Sequence, residues 1–122
     1  MAEYAVTDDS GTTVAQLRDL VRRFVDERDW RRFHDPKNLS MSIAIEAAEL
    51  MEHFQWLRSD ELETVRNDPA TMGQVREELA DILAFAISFA NTMDIDITEA
   101  VTGKLEKNAR KYPADRYRGR FR

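Results

Sequence analysis

Two long segments of this chain are apolar around most of their circumference and carry one narrow polar stripe each. They are residues 39–57 and 74–93, and neither contains glycine or proline. On a helical wheel at about 100° per residue, the polar positions fall on one line with apolar residues on both sides. A surface helix normally has the opposite pattern, a single apolar stripe and a broad polar face. The pattern therefore predicts two largely buried helices.

Each polar stripe contains two acidic residues three positions apart. Glu46 and Glu49 lie on the first stripe, and Glu78 and Asp81 lie on the second. Residues at this spacing are neighbours on a helix, about 5–6 Å apart. If the stripes face each other, four carboxylates meet in the interior, where a hard divalent cation would relieve their repulsion. Acidic pairs at this spacing occur elsewhere in the chain, so the stripes could instead be the solvent sides of the two helices.

Helical periodicity also predicts a first and a last helix. The first covers about residues 13–29, with Thr13 as its N-cap and Gln16 as its capping-box partner. The last begins after Asp96, its N-cap, and continues to about Tyr112. No run of residues alternates in the manner of a β-strand. Four helices joined by short loops predict an all-α fold, a four-helix bundle.

Two Asp-Pro dipeptides punctuate the chain. Because the residue before proline is disfavoured in helical geometry, Asp35-Pro36 and Asp68-Pro69 are interpreted as breaks between helices. The second acidic helix is then expected to start near Thr71, and residues 59–67 to form a short helix or a turn. The predicted organisation is a flexible arm at 1–12, one all-α domain at 13–113 and an arginine-rich tail at 114–122.

The composition of the chain excludes or disfavours several classes of function. The chain has 122 residues with 18 basic and 23 acidic side chains, a net charge of −5, which argues against stable nucleic-acid binding. It has no cysteine, which excludes disulfides and thiolate metal sites. No apolar run approaches the ~20 residues that span a bilayer, and no signal-peptide pattern is present. We expect a soluble cytoplasmic protein without membrane association.

The segment that connects the first two predicted helices contains aromatic and cationic side chains next to one another. Flat rings beside guanidinium groups suit a ligand with a base and phosphates, although the rings could equally cover the core while the arginines are solvated. The residues are Trp30, Arg31, Arg32, Phe33 and His34.

A second cationic group lies on the last helix. Lys104, Asn108 and Lys111 share one face, which either is solvated near the helix C-terminus or contacts phosphates. The apolar surface of residues 79–93 is more than a monomer of this size easily covers, which predicts an oligomer.

Taken together, these blocks resemble the all-α nucleoside triphosphate pyrophosphohydrolases of the MazG-like superfamily. Glu46 to Glu49, followed by Glu78 to Asp81, resembles the ExxE…ExxD signature of that family. Residues 27–39, 54–56 and 104–113 look like the dCTP pyrophosphatase branch, and the similarity covers about residues 13–113.

The resemblance implies a role for each matching residue. The four acidic residues would bind Mg²⁺ and support catalysis. Nucleotide-binding positions would be Trp30, Arg31, Arg32, Phe33, His34 and Trp56, and phosphate contacts would come from Lys104, Asn108 and Lys111. Phe85 stands where relatives place a tyrosine and Val21 where some carry a histidine, which leaves the base preference open. The branch implies a homotetramer, with a dimer as the alternative.

The implied reaction is hydrolysis of a nucleoside triphosphate between the α and β phosphates, giving a nucleoside monophosphate and pyrophosphate. The expected substrate is dCTP or a modified deoxycytidine triphosphate. Alternatives are dUTP, another triphosphate or phosphoribosyl-ATP on the same fold, or a helical oligomer without catalysis. Nucleic-acid binding by the arginines of the tail is disfavoured by the net charge.

Overall fold

The computed structural model describes residues 6–120, and this part of the chain is helical with no β-strand. The predicted all-α class is confirmed. Residues 1–5 of the predicted arm and residues 121–122 of the predicted tail lie outside the described part. The α-helices are α1 (Val14–Glu27), α2 (Pro36–Glu52), α3 (Leu62–Arg66), α4 (Pro69–Thr92), α5 (Ile97–Lys111) and α6 (Ala114–Tyr117). Two short 3₁₀ helices, Arg31–Phe33 and Ser59–Glu61, lie in the connections.

The predicted N-caps of α1 and α5 are confirmed. The Gln16 backbone N–H donates to the Thr13 hydroxyl at 3.1 Å, and the Gln16 side chain accepts from the Thr13 backbone at 2.7 Å. Asp96 accepts from the backbone N–H of Glu99 at 2.9 Å. These contacts satisfy backbone donors that have no partner inside the first helical turn.

Both Asp-Pro dipeptides start a helix, which corrects the predicted boundaries. Asp35 accepts from the backbone N–H of Asn38 at 2.8 Å, and Asp68 accepts from that of Ala70 at 3.3 Å. In each case proline follows as the first helical residue, where the missing N–H is not needed. Thus α2 starts before residue 39, and α4 starts before Thr71.

The end of α2 is also earlier than predicted. The helix ends at Glu52, and the chain continues in turns through residue 56. The backbone N–H of Leu57 donates to the Phe54 carbonyl at 2.9 Å, which closes one of these tight turns. Trp56 therefore does not belong to the helix, and its indole is 86% exposed.

Helix α4 is the centre of the packing. It contacts α2 most extensively and also packs against α1 and α3. Four apolar side chains, one from each of these helices, form the buried core, and they are Val25, Leu39, Val65 and Ala90. The acidic stripes of α2 and α4 belong to the two helices with the largest mutual contact.

Arg18 holds α1 against the end of α4. Its guanidinium donates to the Asn91 side chain at 3.0 Å, the Ile95 carbonyl at 2.7 Å and the Ala90 carbonyl at 3.3 Å. The Asn91 amide donates back to the Arg18 carbonyl at 3.2 Å. These bonds join α1 to the last turn of α4 and to the connection that follows it, where the Ala90 carbonyl also accepts from the Ile95 backbone N–H at 2.9 Å.

Helix α5 does not complete a four-helix bundle within one chain. Val101 and Leu105, two apolar residues on one face of this helix, are 51% and 60% exposed. The helix extends this apolar face into solvent because it has no extensive packing partner among the other described helices. Within residues 6–120, every helix is too short or too polar to cross a membrane.

Candidate active site

Three carboxylates meet where α2 packs against α4. Ligand oxygens of Glu46, Glu49 and Glu78 all lie within 4.8 Å of one another. Two residues come from one turn of α2 and the third comes from α4, so the cluster exists only because the stripes face each other. The structure brings together three of the four residues that the sequence marks as metal ligands.

The cluster is desolvated and repulsive. One oxygen of Glu46 and one of Glu78 are buried without a hydrogen-bond partner. Desolvation raises the pKa of Glu46 to about 7, and a hydrogen bond with Glu49 and the charges of Glu49, Asp81 and Glu78 add to it. Desolvation also raises the pKa of Glu78, with Glu49 adding to the effect and the charge of His53 opposing it. The site therefore favours neutralisation by a proton or a cation.

The residues fit a hard divalent cation. Buried carboxylate oxygens without donors are the lone pairs that such an ion would occupy, and all three residues offer oxygen. Oxygen ligands suit Mg²⁺ and similar ions, whereas softer metals prefer nitrogen or sulfur. The cluster is therefore a candidate site for a divalent cation.

Asp81 lies one turn beyond Glu78 on α4, outside the three-carboxylate group. Its charge still acts on Glu46, raising the pKa of that residue. Asp81 also lines a neighbouring cavity. It therefore connects the cluster with the space beside it.

That space is a largely apolar cavity of about 530 Å³ between α1 and α4. Three rings on its wall are arranged in series. The centroids of Trp30 and His34 are 6.2 Å apart, and those of His34 and Phe85 are also 6.2 Å apart. On the α1 side the wall is aliphatic and aromatic, formed by Leu20, Val21, Phe24 and Val25. A cavity lined in this way suits a flat heterocycle.

The other residues of the aromatic and cationic segment turn away from the cavity. Arg32 forms an ion pair with Asp29 at 2.9 Å and lies against Phe33, at 5.1 Å from its ring centroid. Phe33 and Trp56 are exposed and do not line the cavity. Of the aromatic residues Trp30, Phe33 and Trp56, only Trp30 lines the cavity within one chain. The 3₁₀ turn directs Phe33 outward, and Trp56 follows the end of α2.

The predicted phosphate-binding face of α5 is also separate from this cavity. Lys104, Asn108 and Lys111 do not line it. The Lys111 ammonium lies over Tyr112, at 5.3 Å from the ring centroid, and this tyrosine in turn contacts Tyr117 of α6 at 5.2 Å. The described part of the tail is thus folded against the end of α5.

The structure adds part of α1 to the cavity wall. Helical periodicity marks Leu20 and Phe24 only as apolar residues of the first helix, because a cavity wall and a core have the same composition, whereas Val21 was marked by the resemblance as a position that bears on base preference. Ser88 was visible on the polar stripe of α4, in line with Glu78 and Asp81, and it also lines the cavity. Its position on that stripe was the available signal.

Comparison with known proteins agrees with this architecture. The model of the MazG-like family matches residues 41–120. The chain is 36% identical to dCTP pyrophosphatase 1 of Bos taurus over 110 residues, 90% of this chain and 65% of the bovine protein. It is 36% identical to dCTP pyrophosphatase 1 of Homo sapiens over 102 residues, 84% of this chain and 60% of the human protein. It thus spans less than two thirds of the length of these relatives.

One solved structure aligns with this chain over almost the whole length of the solved chain. The crystal structure of a pyrophosphatase from Archaeoglobus fulgidus aligns with a TM-score of 0.76 and 42% identity, covering 88% of this chain and 98% of that one. The fold and site define an all-α protein with two facing acidic helices beside an aromatic cavity. The chain belongs to the MazG-like family, as its motifs predict.

Proposed function

We propose that this protein is a Mg²⁺-dependent nucleoside triphosphate pyrophosphohydrolase that acts on dCTP or a modified deoxycytidine triphosphate. The observation that carries the proposal is the cluster of Glu46, Glu49 and Glu78 next to an aromatic cavity. The names of the relatives, dCTP pyrophosphatase and pyrophosphatase, support the same activity. The products are a nucleoside monophosphate and pyrophosphate.

Different groups of residues bind the phosphates and the base of the substrate. Glu46, Glu49 and Glu78 would hold the cation, with Asp81 beside them as the fourth carboxylate, while Trp30, His34 and Phe85 would bind the base. When bound, Mg²⁺ supplies positive charge to the triphosphate and lowers the pKa of a coordinated water. Because Asp81 borders both the cluster and the cavity, the phosphates and the base can be held at the same time.

Hydrolysis also requires a group that accepts a proton from the attacking water. Glu46 and Glu49, which are neighbours in the cluster, are the two candidate acceptors of this proton.

We further propose that the protein is a homo-oligomer, with a tetramer favoured over a dimer. Ile45 of α2, Leu83 of α4 and Leu105 of α5 are exposed in the single chain. Large exposed apolar surfaces are typical of subunit interfaces. Assembly would also bring Trp56 and the face of Lys104, Asn108 and Lys111 to the site of a neighbouring subunit.

A substrate panel tests the function. Pyrophosphate release is measured from dCTP, 5-methyl-dCTP, dUTP, dTTP, other triphosphates and phosphoribosyl-ATP, with Mg²⁺ and with chelator. We expect Mg²⁺-dependent release, fastest from a deoxycytidine nucleotide, and none from a Glu49→Gln variant. Faster turnover of dUTP or phosphoribosyl-ATP would assign another substrate on the same fold. No release from any nucleotide would favour a binding protein without catalysis.

A further inference from the structure

A second cavity adjoins the apolar one and has a different character. It has a volume of about 490 Å³, and Val25, His34 and Ser88 line both cavities. The rest of its wall is polar and consists of Arg22, Asp26, Arg31, Asn91, Thr92 and Asp94. Among these six residues, only Arg31 belongs to the predicted nucleotide segment. We call this space the polar chamber.

The polar chamber lies further along α4 than the carboxylate cluster and the apolar cavity. Glu78 belongs to the cluster, Asp81 and Phe85 line the apolar cavity, and Asn91 lines the polar chamber. At 1.5 Å per residue, Asp81 and Asn91 are separated by about 15 Å along the helix axis. This order of charged, aromatic and polar surfaces follows the order of triphosphate, base ring and base edge in a nucleotide.

The charges of the polar chamber suit a neutral ligand group. Arg22 and Arg31 are balanced by Asp26 and Asp94, so the lining has no net formal charge. Arg31 donates to both oxygens of Asp26, at 2.7 Å and 2.9 Å. A phosphate or pyrophosphate would require an excess of cationic groups, whereas a nucleobase edge requires hydrogen-bond donors and acceptors. The polar chamber therefore fits a base edge better than an anion.

On the side of the polar chamber formed by Arg22 and Asn91, most polar atoms that have no partner yet are N–H donors. The Asn91 oxygen already accepts from Arg18 at 3.0 Å and from Arg22 at 3.2 Å. The Asn91 amide donates one N–H to the Arg18 carbonyl and has a second one free, and Arg22, which also donates to Asp19, has three of its five N–H groups outside these bonds. Ser88 is 5% exposed, and its hydroxyl can donate or accept. Cytosine presents two adjacent acceptors, O2 and N3, whereas N3 of uracil and thymine carries a hydrogen.

We propose that Arg22, Asn91 and Ser88 recognise the edge of a cytosine base and reject uracil. The ring lies in the apolar cavity beside Trp30 and Phe85, and its acceptors receive hydrogen bonds from Arg22 and Asn91 in the polar chamber. With uracil or thymine, the N3 hydrogen faces these donors, so the hydrogen bonds that cytosine accepts are not formed. This inference rests on the proposed function and assigns the base specificity of that same site.

The test compares kcat/KM for dCTP and dUTP in the full-length protein and in Arg22→Ala, with 2-deoxyribose 5-triphosphate as a substrate without a base. A hydrogen bond to a charged group contributes enough free energy to predict a 10- to 100-fold loss of dCTP kcat/KM, by order of magnitude. Turnover of dUTP and of the base-free substrate is expected to change little. Arg66→Ala, which removes an exposed arginine of α3, serves as the control.

Ser88→Ala is the second variant, because it removes one oxygen and keeps the packing of α4. We expect a several-fold smaller dCTP-to-dUTP ratio of kcat/KM with an unchanged melting temperature. Turnover of dCTP by the wild type with an unchanged ratio in both variants overturns this inference alone. If the wild type hydrolyses no triphosphate in the presence of Mg²⁺, the proposed function fails and the inference fails with it.

Discussion

At the scale of single residues, Glu46 is the carboxylate whose pKa is raised to about 7 by its surroundings. One of its oxygens is buried without a partner, and three other carboxylates act on it. Such a group is stable as a neutral acid or beside a cation, and unfavourable as an isolated anion. Repulsion at Glu46 lowers the stability of the metal-free protein, and a bound cation would remove this repulsion.

The raised pKa of Glu46 makes the metal-free protein less stable as pH rises. In the folded state the group titrates at about 7, above its ordinary value of 4.5, so the folded chain binds more protons between these values. The free energy of unfolding therefore falls as pH rises through that window. Thermal melting in chelator from pH 5 to pH 8 should show this fall, and Glu46→Gln should reduce it. Equal slopes in both proteins would contradict the assignment.

Glu49→Ala and Asp81→Ala should each abolish Mg²⁺-dependent turnover while leaving the helical circular dichroism spectrum unchanged. Removing either carboxylate also removes repulsion, so the melting temperature in metal-free buffer should rise. The measurement is pyrophosphate release together with melting in chelator. Glu63→Ala, an acidic residue of α3 outside the cluster, should keep its activity. Wild-type rates in the two site variants would remove these residues from the mechanism.

Trp30→Ala should raise KM for the nucleotide and leave metal affinity nearly unchanged. Trp30 lines the apolar cavity and contacts His34, whereas the carboxylates belong to α2 and α4. Stacking of a base on an aromatic ring is worth about 1–3 kcal/mol, which predicts roughly a tenfold increase or more. Steady-state kinetics and Mg²⁺ titration measure the two quantities. An unchanged KM would argue against stacking on this ring.

At the scale of secondary structure elements, the position of α1 decides whether the cavities exist. Helix α1 supplies Leu20, Val21 and Phe24 to one wall, and α4 supplies the opposite wall. Arg18 and Asn91 connect the two helices through reciprocal hydrogen bonds. The shape of the apolar cavity therefore depends on a contact outside it.

Arg18→Ala should lower the free energy of unfolding by about 2 kcal/mol, because it removes the donor to the Ile95 carbonyl and the hydrogen bonds to Asn91 and Ala90 that join α1 to α4. KM for the nucleotide should rise as well, since α1 carries the cavity wall. Urea denaturation and steady-state kinetics measure the two effects. Arg18→Lys keeps one donor and should recover part of both. Unchanged stability and unchanged KM would show that other contacts position α1.

At the scale of the whole molecule, the amount of exposed apolar surface stands out. Leu39 is the only large side chain among residues 6–120 that is less than 2% exposed, while Val101 and Leu105 of α5 remain half exposed or more. A chain of this length normally covers more of its apolar surface. Burial between copies of the chain would supply the missing core.

Leu105→Lys should therefore shift the protein to a smaller assembly and reduce its activity. A lysine in an apolar interface has to be desolvated, which is unfavourable without a partner charge. Light scattering coupled to size-exclusion chromatography measures the mass. Glu106→Lys, on the same helix, is the control for added positive charge. The same mass for Leu105→Lys and the wild type would exclude this face from the interface.

The sequence by itself determined what depends on local periodicity. Helical class, two caps and the acidic pairs at Glu46 and Glu78 follow from spacings of three and four residues. The Asp-Pro starts were also encoded locally, but proline was interpreted as a break although it equally fits the first helical turn.

Only the tertiary structure decided which surfaces meet. Whether Leu20 and Val21 fill a core or line a cavity depends on the distance between α1 and α4, which no local pattern encodes. The same holds for the polar chamber, where Arg22 and Asn91 are separated by 69 residues and joined by a hydrogen bond. Helix periodicity assigns a residue to a face of its own helix, whereas the helix that covers that face is set by the packing of the whole chain.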